Sequence, residues 1–486
     1  GMASLKIYGG RLHCPKLQDL PIEHTASISP GERDLLKTYN VNDLSTTLSL
    51  FQKLTPQIEL REQMSKLYDV DLRSKSDAQI AEAVITKEVE KVVGRKLYRP
   101  EVDSGTRFNY VVPKFIRFTT PVLTDLLDMI SRVSFLVPDG GNVQMPVELD
   151  KALVKVGAGA YRLGIGCLHS SEKTGSHYSD AGHVLVDRDV ASYYPTIILN
   201  AGIAPLNMGD AFSKCYATLL EQRLKAKRSG NKVGSATLKI VLNGTFGKLG
   251  SKWSKLYSPN LLIQTTLTGQ LSLLMLIEQL EVAGIPVVSA NTDGVVIKCP
   301  RARVDDMTEV VRAWETQTGF ETEETEYEAL YARDVNNYVA LKRGSGVKLK
   351  GAYAPPGLQK NPTNEICVLA AIAFLRGFTP LEETIRSCSD IRLFVTIRQV
   401  KGGAIDQAGN YLGKAVRWYY ARGVEGPLRY KINNYTVARS EGAKAILDLP
   451  EGFPDDLDFD WYVTEAKSIL ADMGVDPTAY AVRDLV

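Results

Sequence analysis

Cysteine is scarce in this sequence and nowhere closely paired. Six residues in 486, Cys14, Cys167, Cys215, Cys299, Cys367 and Cys388, are scattered without a Cys-x-x-Cys spacing. That argues against a zinc site and against a disulfide scaffold, and fits a reducing compartment. Charge of one sign is scarce as well: a net charge of +2 gives no global nucleic-acid signature. No run of about 18 uninterrupted apolar residues occurs and the start carries no apolar signal core, so neither a membrane span nor a secretory signal is expected. Gly1-Met2 reads as a cloning remnant. Internal repeats and low-complexity tracts are also missing. What remains, 44% hydrophobic and 23% charged residues, is the composition of a globular chain long enough for several domains.

The basic charge is local. Residues 210–255 hold ten Lys or Arg against two acids, Asp210 and Glu221, as a site that handles phosphates requires. The pattern there predicts helices over about 210–228 and 232–249, broken at Ser229-Gly-Asn231, which makes an antiparallel helical hairpin. Elsewhere residues 1–30 read as irregular and about 30–54 as a helix. Ser76 reads as the N-cap of a helix running towards Val93. Phe115–Phe118 and Val184–Val186 read as strands, and about 121–136 as a helix. An apolar helix over about 261–283 leads to strands at 287–290 and 295–298. After about Asn361 the chain is mixed, with a helix near 365–376 and a stretch of cations and aromatics, including Lys401, Lys414, Arg417, Trp418, Tyr419 and Arg422. That composition suits either a grip on a nucleic-acid backbone or a snorkelling, half-buried surface.

Three segments carry the chemistry: Asp189-Val-Ala-Ser-Tyr-Tyr-Pro-Thr-Ile-Ile198, Lys239-Ile-Val-Leu-Asn-Gly-Thr-Phe-Gly247 and Asn291-Thr-Asp-Gly294. The first puts a carboxylate at the end of an apolar strand. The second presents Lys239, Asn243 and Phe246 at i, i+4 and i+7 on a helix, and the third sets Asp293 in a turn between two apolar strands. Two carboxylates on adjacent strand ends suit a pair of divalent ions, for which oxygen ligands are required. On the hairpin's first helix, Arg223 and Lys227 share a face. Counted from Gly230, Arg223 and Lys239 differ in axial height by about 3 Å, so three cations are placed to meet one triphosphate.

In this order the segments resemble motifs A, B and C of the family-B (alpha-like) DNA polymerases, particularly the viral and prophage branch. Those motifs read Asp-x-x-Ser-Leu-Tyr-Pro-Ser-Ile-Ile, Lys-x-x-x-Asn-Ser-x-Tyr-Gly and Asp-Thr-Asp-Ser. The resemblance spans about Gly164 to Gly351, with Gly164-Ile-Gly-Cys-Leu-His169 as a degenerate glycine motif and Lys348-Leu-Lys-Gly351 as the basic segment closing the palm. Four departures stand out: Tyr193 for Leu, Gly244 for Ser, Phe246 for Tyr and Asn291 for the first Asp of motif C. Tyr39 and Asp43 match the last exonuclease motif, but 38 upstream residues are too few for the two earlier ones. A Tyr and an Asp at i, i+4 on an amphipathic helix is the simpler reading of that pair.

The resemblance implies an α+β fold of right-hand polymerase architecture with an antiparallel palm sheet. Residues 1–97 would form an N-terminal region with an exonuclease remnant, 98–205 and 251–360 the palm, 206–250 the fingers hairpin and 361–486 the thumb. It implies template-directed DNA synthesis without proofreading in this chain. Asp189 and Asp293 would be catalytic and, with Val190, metal-ligating. Ser192, Tyr193, Tyr194, Arg223, Lys227, Lys239, Asn243 and Phe246 would bind the nucleotide, with Tyr194 excluding a 2′ hydroxyl. Asn291 and Thr292 would be auxiliary, as would Asp187, two residues before Asp189 on the same strand face. Gly247, Tyr338, Lys348 and Lys350 would touch DNA. The implied cofactor is Mg2+, two ions, with Mn2+ as a substitute. The implied partners are primer-template DNA, deoxynucleoside triphosphates and a separate exonuclease or accessory replication protein, in the cytoplasm of a bacterial cell with a phage or prophage gene. Two rivals stay open: a polymerase-like protein that binds DNA without catalysis, and a polymerase with a protein-primed or primer-independent start.

Overall fold

The computed structural model describes residues 3–22, 25, 27–377 and 379–480; Gly1-Met2 lie outside them. The chain divides into two compact units. One comprises Gly1–Pro56, Asn337–Val339 and Leu349–Val486, the other Gln57–Asn336 and Ala340–Lys348. The fold is mixed α and β with antiparallel sheets.

All three motifs belong to the second unit. Its sheet runs, in order, Thr322–Asp334, His183–Val190, Gly294–Pro300, Val287–Asn291, His169–Ser170, Gly159–Arg162 and Leu153–Val156, with Gly175–Tyr178 pairing the far part of Thr322–Asp334. The register is fixed by alternation: Val184 and Val186 are buried with Ile297 and Val295, so a one-residue slip would turn these side chains to the other face. Across this core lies the helix Pro259–Val282, buried along nearly its whole length. Its length and mean hydropathy of 1.3 match a membrane span, yet 89% of that stretch is buried inside the protein. It is a core helix, and largely apolar for that reason.

A second core joins three helices, Asp77–Val93, Asp210–Arg228 and Lys232–Leu249, through Ile80, Val84, Tyr216, Leu219, Leu238 and Leu242. Ser76 caps the first in a reciprocal capping box with Gln79, and Gly94 ends it in left-handed backbone at φ 67°. Asn231 caps the third. Gly244 permits the approach of the first and third: a Cβ there would meet Ala81 Cβ and the Asp77 carbonyl oxygen at 2.8 Å each.

In the first unit, a four-stranded sheet built on the pair Thr396–Ile405 and Tyr411–Tyr420 accompanies the helices Glu365–Gly377, Leu381–Ser387 and Phe459–Asp472.

Several expectations need correction. Residues 1–30 are not all irregular, because Leu5–Arg11 is a helix capped by Ser4. Its Gly10, which suggests a loop, instead lets the helix approach Ile397, whose Cγ2 would lie 2.6 Å from an added Cβ. The next helix runs Pro30–Tyr68, past the expected end near Leu54, with Pro56 inside it. Phe115–Phe118 forms no strand: Gln317 Nε2 donates to the Phe115 carbonyl at 2.8 Å, and Phe115 packs edge-on against Phe320. The helix at Pro121 stops at Arg132, Val133 is extended, and Ser134–Leu136 pairs with Arg107–Asn109 as a strand.

The C-terminal cluster is split between core and surface, and its buried members fit neither a nucleic-acid grip nor a half-buried surface. Trp418 and Tyr419 are core residues. Arg417 is fully buried and donates to the carbonyls of Cys14 and Pro15 at 2.8 Å and of Leu447 at 2.9 Å. It ties chain segments together and presents nothing to a ligand. Only Lys401, Lys414 and Arg422 of the cluster are exposed.

Candidate active site

Motifs A and C meet at the ends of neighbouring central strands of the sheet. Asp189 pairs with Gly294 on one side and Glu323 on the other, and the Val190 amide donates to the Asp293 carbonyl at 2.7 Å. The carboxylates of Asp189 and Asp293 therefore rise from neighbouring strand ends, whose backbones lie about 5 Å apart. Asp189 is half-exposed and Asp293 exposed. Gly294 makes this approach possible, since a Cβ on it would fall 2.2 Å from Asp189 Oδ1 and 3.0 Å from the Arg188 carbonyl oxygen. Ser192 and Thr292, at φ 52° and 60°, hold left-handed backbone in the two motif loops, a conformation that costs energy outside glycine and gathers at functional sites.

Among the described residues, no three His, Cys, Asp or Glu gather as a metal-binding cluster. Two aspartates are nevertheless a donor set that fits magnesium, which takes one or two carboxylates and completes its shell with water and phosphate oxygens. Asp187 differs from them in being buried. It accepts from the Tyr327 hydroxyl and pairs with Lys348 at 2.8 Å, while the same ammonium lies 3.2 Å from Asp189 Oδ2. Burial opposes the charge on Lys348, but Asp187 and Asp189 outweigh it and hold the ammonium's pKa above the ordinary lysine value. Of the residues expected to touch DNA, Lys348 thus stands among the carboxylates. Tyr338 and Lys350 belong to the other unit, where the Lys350 ammonium lies 5.8 Å from the Tyr338 ring centre.

Motif B faces the same loops. Arg223 donates to Ser192 Oγ at 3.1 Å, and burial lowers its pKa from the usual arginine value against the pull of Glu323. Lys227 pairs with Glu323. Lys239, Asn243 and Gly247 form an exposed stripe one turn apart, while Phe246 turns inward and stacks on Tyr194 at 4.3 Å between ring centres. The Tyr194 hydroxyl donates to the Gly166 carbonyl at 2.9 Å. Tyr193 stacks beside Tyr194 at 5.9 Å between ring centres but lies on the core side. Its side chain is buried, its hydroxyl donates to the Gly269 carbonyl and its ring packs edge-on against Phe320. That corrects the expectation of a nucleotide contact by this side chain: the larger ring replacing Leu fills core space.

Asn291 is occupied structurally. Its Nδ2 donates to the Val335 carbonyl at 2.8 Å and to Asn336 Oδ1 at 3.3 Å, and its Oδ1 accepts from Thr292 Oγ1 at 2.8 Å. A carboxylate at this position has no proton to give Val335.

Sequence reading missed several supporting groups. Gln270 holds Gly164 by two hydrogen bonds, to its carbonyl at 2.7 Å and from its amide at 2.9 Å, and Thr266 donates to the Ile165 carbonyl at 3.0 Å. These polar residues on the central helix fix the glycine loop under Tyr194; their signal was polarity within an otherwise apolar helix. Glu323 was hidden in an acidic run. Trp253 is 73% exposed with Arg99 and Lys252 over its ring at 5.1 and 5.3 Å, on the rim of an open groove that reaches Gly247 and Gly250.

No protein-family model matches the chain. It is similar to DNA polymerase II of Escherichia coli (strain K12), with 23% identity over 266 residues, covering 45% of this chain and 33% of that protein. The chain thus spans about a third of the length of that curated relative. Among solved structures it is similar to the family B DNA polymerase from the hyperthermophilic archaeon Pyrobaculum calidifontis. That match has 15% identity and a TM-score of 0.48, and covers 92% of this chain and 57% of that one.

Proposed function

We propose that the chain is a template-directed DNA polymerase of the family-B type, which transfers deoxynucleotides to a primer 3′ end. The observation that carries this reading is the meeting of the Asp189 and Asp293 loops with the cationic helix pair bearing Arg223, Lys227 and Lys239. The similarity to DNA polymerase II supports it. In this reading 98–205 and 251–360 are the palm, 206–250 the fingers and 361–486 the thumb, and the N-terminal 97 residues carry no proofreading centre, since Tyr39 and Asp43 supply one carboxylate. A phage or prophage origin belongs to this reading, and six free thiols support its reducing, cytoplasmic setting.

Asp189 and Asp293, with Val190, would hold two magnesium ions. When bound, these would activate the 3′ hydroxyl and neutralise the leaving pyrophosphate. Arg223, Lys227 and Lys239 bind the triphosphate by charge-assisted hydrogen bonds. Asn243 stands beside Lys239 on the exposed face, and Ser192 orients Arg223. Tyr194, braced by Phe246 behind it and Gly166 beside it, walls off the sugar's C2′. Trp253, flanked by Arg99 and Lys252, offers an unpaired template base a stacking surface.

Extension of a labelled primer on defined templates tests the reading. The expected result is incorporation of the complementary deoxynucleotide alone, with Tyr194→Ala admitting ribonucleotides far better than the parent at little cost to deoxynucleotide use. Inactivity of the intact chain on several primer-templates would favour binding without catalysis, and unchanged sugar discrimination would return Tyr194 to a packing role.

A further inference from the structure

Lys348 stands between two unlike carboxylates. Asp187 has a side chain only 6% exposed and is anchored by Tyr327 on the adjacent strand, whereas Asp189 is 49% exposed and open to solution. The ammonium reaches the first at 2.8 Å and the second at 3.2 Å. One partner is therefore built in and the other shared. A cation arriving at Asp189 from solution meets an oxygen that already accepts from Lys348, so the two cannot both take Asp189 Oδ2 without cost.

We propose that Lys348 is a tethered competitor for the metal at Asp189, held in reserve by Asp187, so that the Asp187–Lys348 pair weakens divalent-cation binding in the absence of DNA and nucleotide. This rests on the polymerase reading of Asp189 and deepens it by assigning the two groups positioning roles. Asp187 serves Lys348 and is not a metal ligand. When a divalent ion takes Asp189, the ammonium gives up one hydrogen bond and keeps the other. The carboxylate is thereby kept neutralised and oriented before loading, and the protein needs more metal to load.

The test replaces the pair without changing local charge. Lys348→Met combined with Asp187→Asn removes one positive and one negative charge, so long-range attraction for a cation is preserved and only direct competition is lost. Mn2+ binding to the full chain without DNA, followed by the electron paramagnetic resonance of free Mn2+ at neutral pH and low salt, is compared for the parent, the double variant and Asp189→Asn. Circular dichroism and melting temperature confirm that each variant is folded. The double variant should bind Mn2+ about three- to tenfold more tightly, the scale of a partly exposed charge-assisted contact, and the difference should shrink at high salt. Equal or weaker binding by the folded double variant would overturn the proposal. Should the double variant not fold, Lys348→Met alone must still bind more tightly than the parent, and equal or weaker binding by it overturns the proposal as well. Asp189→Asn should weaken binding in the parent; if it does not, the metal reading of Asp189 fails, whereas weakening there with an unchanged double variant sinks only the competition.

Discussion

Single residues explain why the three segments read as they do in this chain. An amide at 291 gives Val335 a proton that a carboxylate lacks, a ring at 193 fills core, and glycine at 294 leaves room for the Asp189 carboxylate. Any side chain at 294 would push a Cβ towards Asp189 Oδ1. Near it, Glu172 is half-buried and accepts from Ser289 Oγ at 2.9 Å on the strand that leads into Asn291. Burial pushes its carboxyl up to about 7, the Ser289 hydrogen bond opposes this and Asp334 adds to it. Between about pH 4.5 and 7 the folded chain keeps a proton that the unfolded chain has released. Stability is therefore full below that window and falls as pH rises through it. Urea denaturation of the parent and of Glu172→Gln at pH 5 and pH 7.5 should show a decline that the variant lacks; equal declines in both would remove Glu172 from the account. The two aspartate loops and the cations of the helical hairpin were legible as positions because type and spacing alone mark them. Gln270, Glu323 and the Lys348–Asp187 pair were not, because their partners lie far away in sequence.

At the scale of elements, local signals read well. The helices Asp77–Val93, Asp210–Arg228 and Lys232–Leu249 stand where Ser76, Gly230 and Asn231 place their ends. The misreadings share one cause: a residue whose local meaning is overruled by packing. Gly10 lies inside a helix because Ile397 sits against it, Pro56 fails to end one, and Phe115–Phe118 spends its apolar side chains on packing rather than on a ladder. Gly244 makes the same point. Its Cβ-free surface lets two helices close on each other, so Gly244→Ala and Gly244→Ser should each destabilise the chain by about 1–3 kcal/mol through overpacking, although serine is the residue of the motif this segment resembles. Denaturant midpoints measure this, and no loss in either variant would show that the helices can separate without cost.

At the scale of the whole molecule, the sequence order of segments conceals their grouping. Residues 1–56 belong with 349–486 in one unit, a pairing carried by Arg417 reaching back to Cys14 and Pro15, which no local pattern announces. The site, in contrast, is drawn from 187 to 348 within the other unit. Its logic is division of labour: carboxylates at the ends of central strands, cations on the helix pair, aromatic rings between, and one lysine shared among the acids. The central claim is that Asp189 and Asp293 together make the catalytic centre. The most direct measurement is single-turnover primer extension by Asp189→Ala and Asp293→Ala, with primer-template binding followed in the same samples. The account predicts a loss of several orders of magnitude in rate for each, about 10³-fold or more, with DNA binding and melting temperature close to the parent's. Near-parental extension by either variant would contradict it.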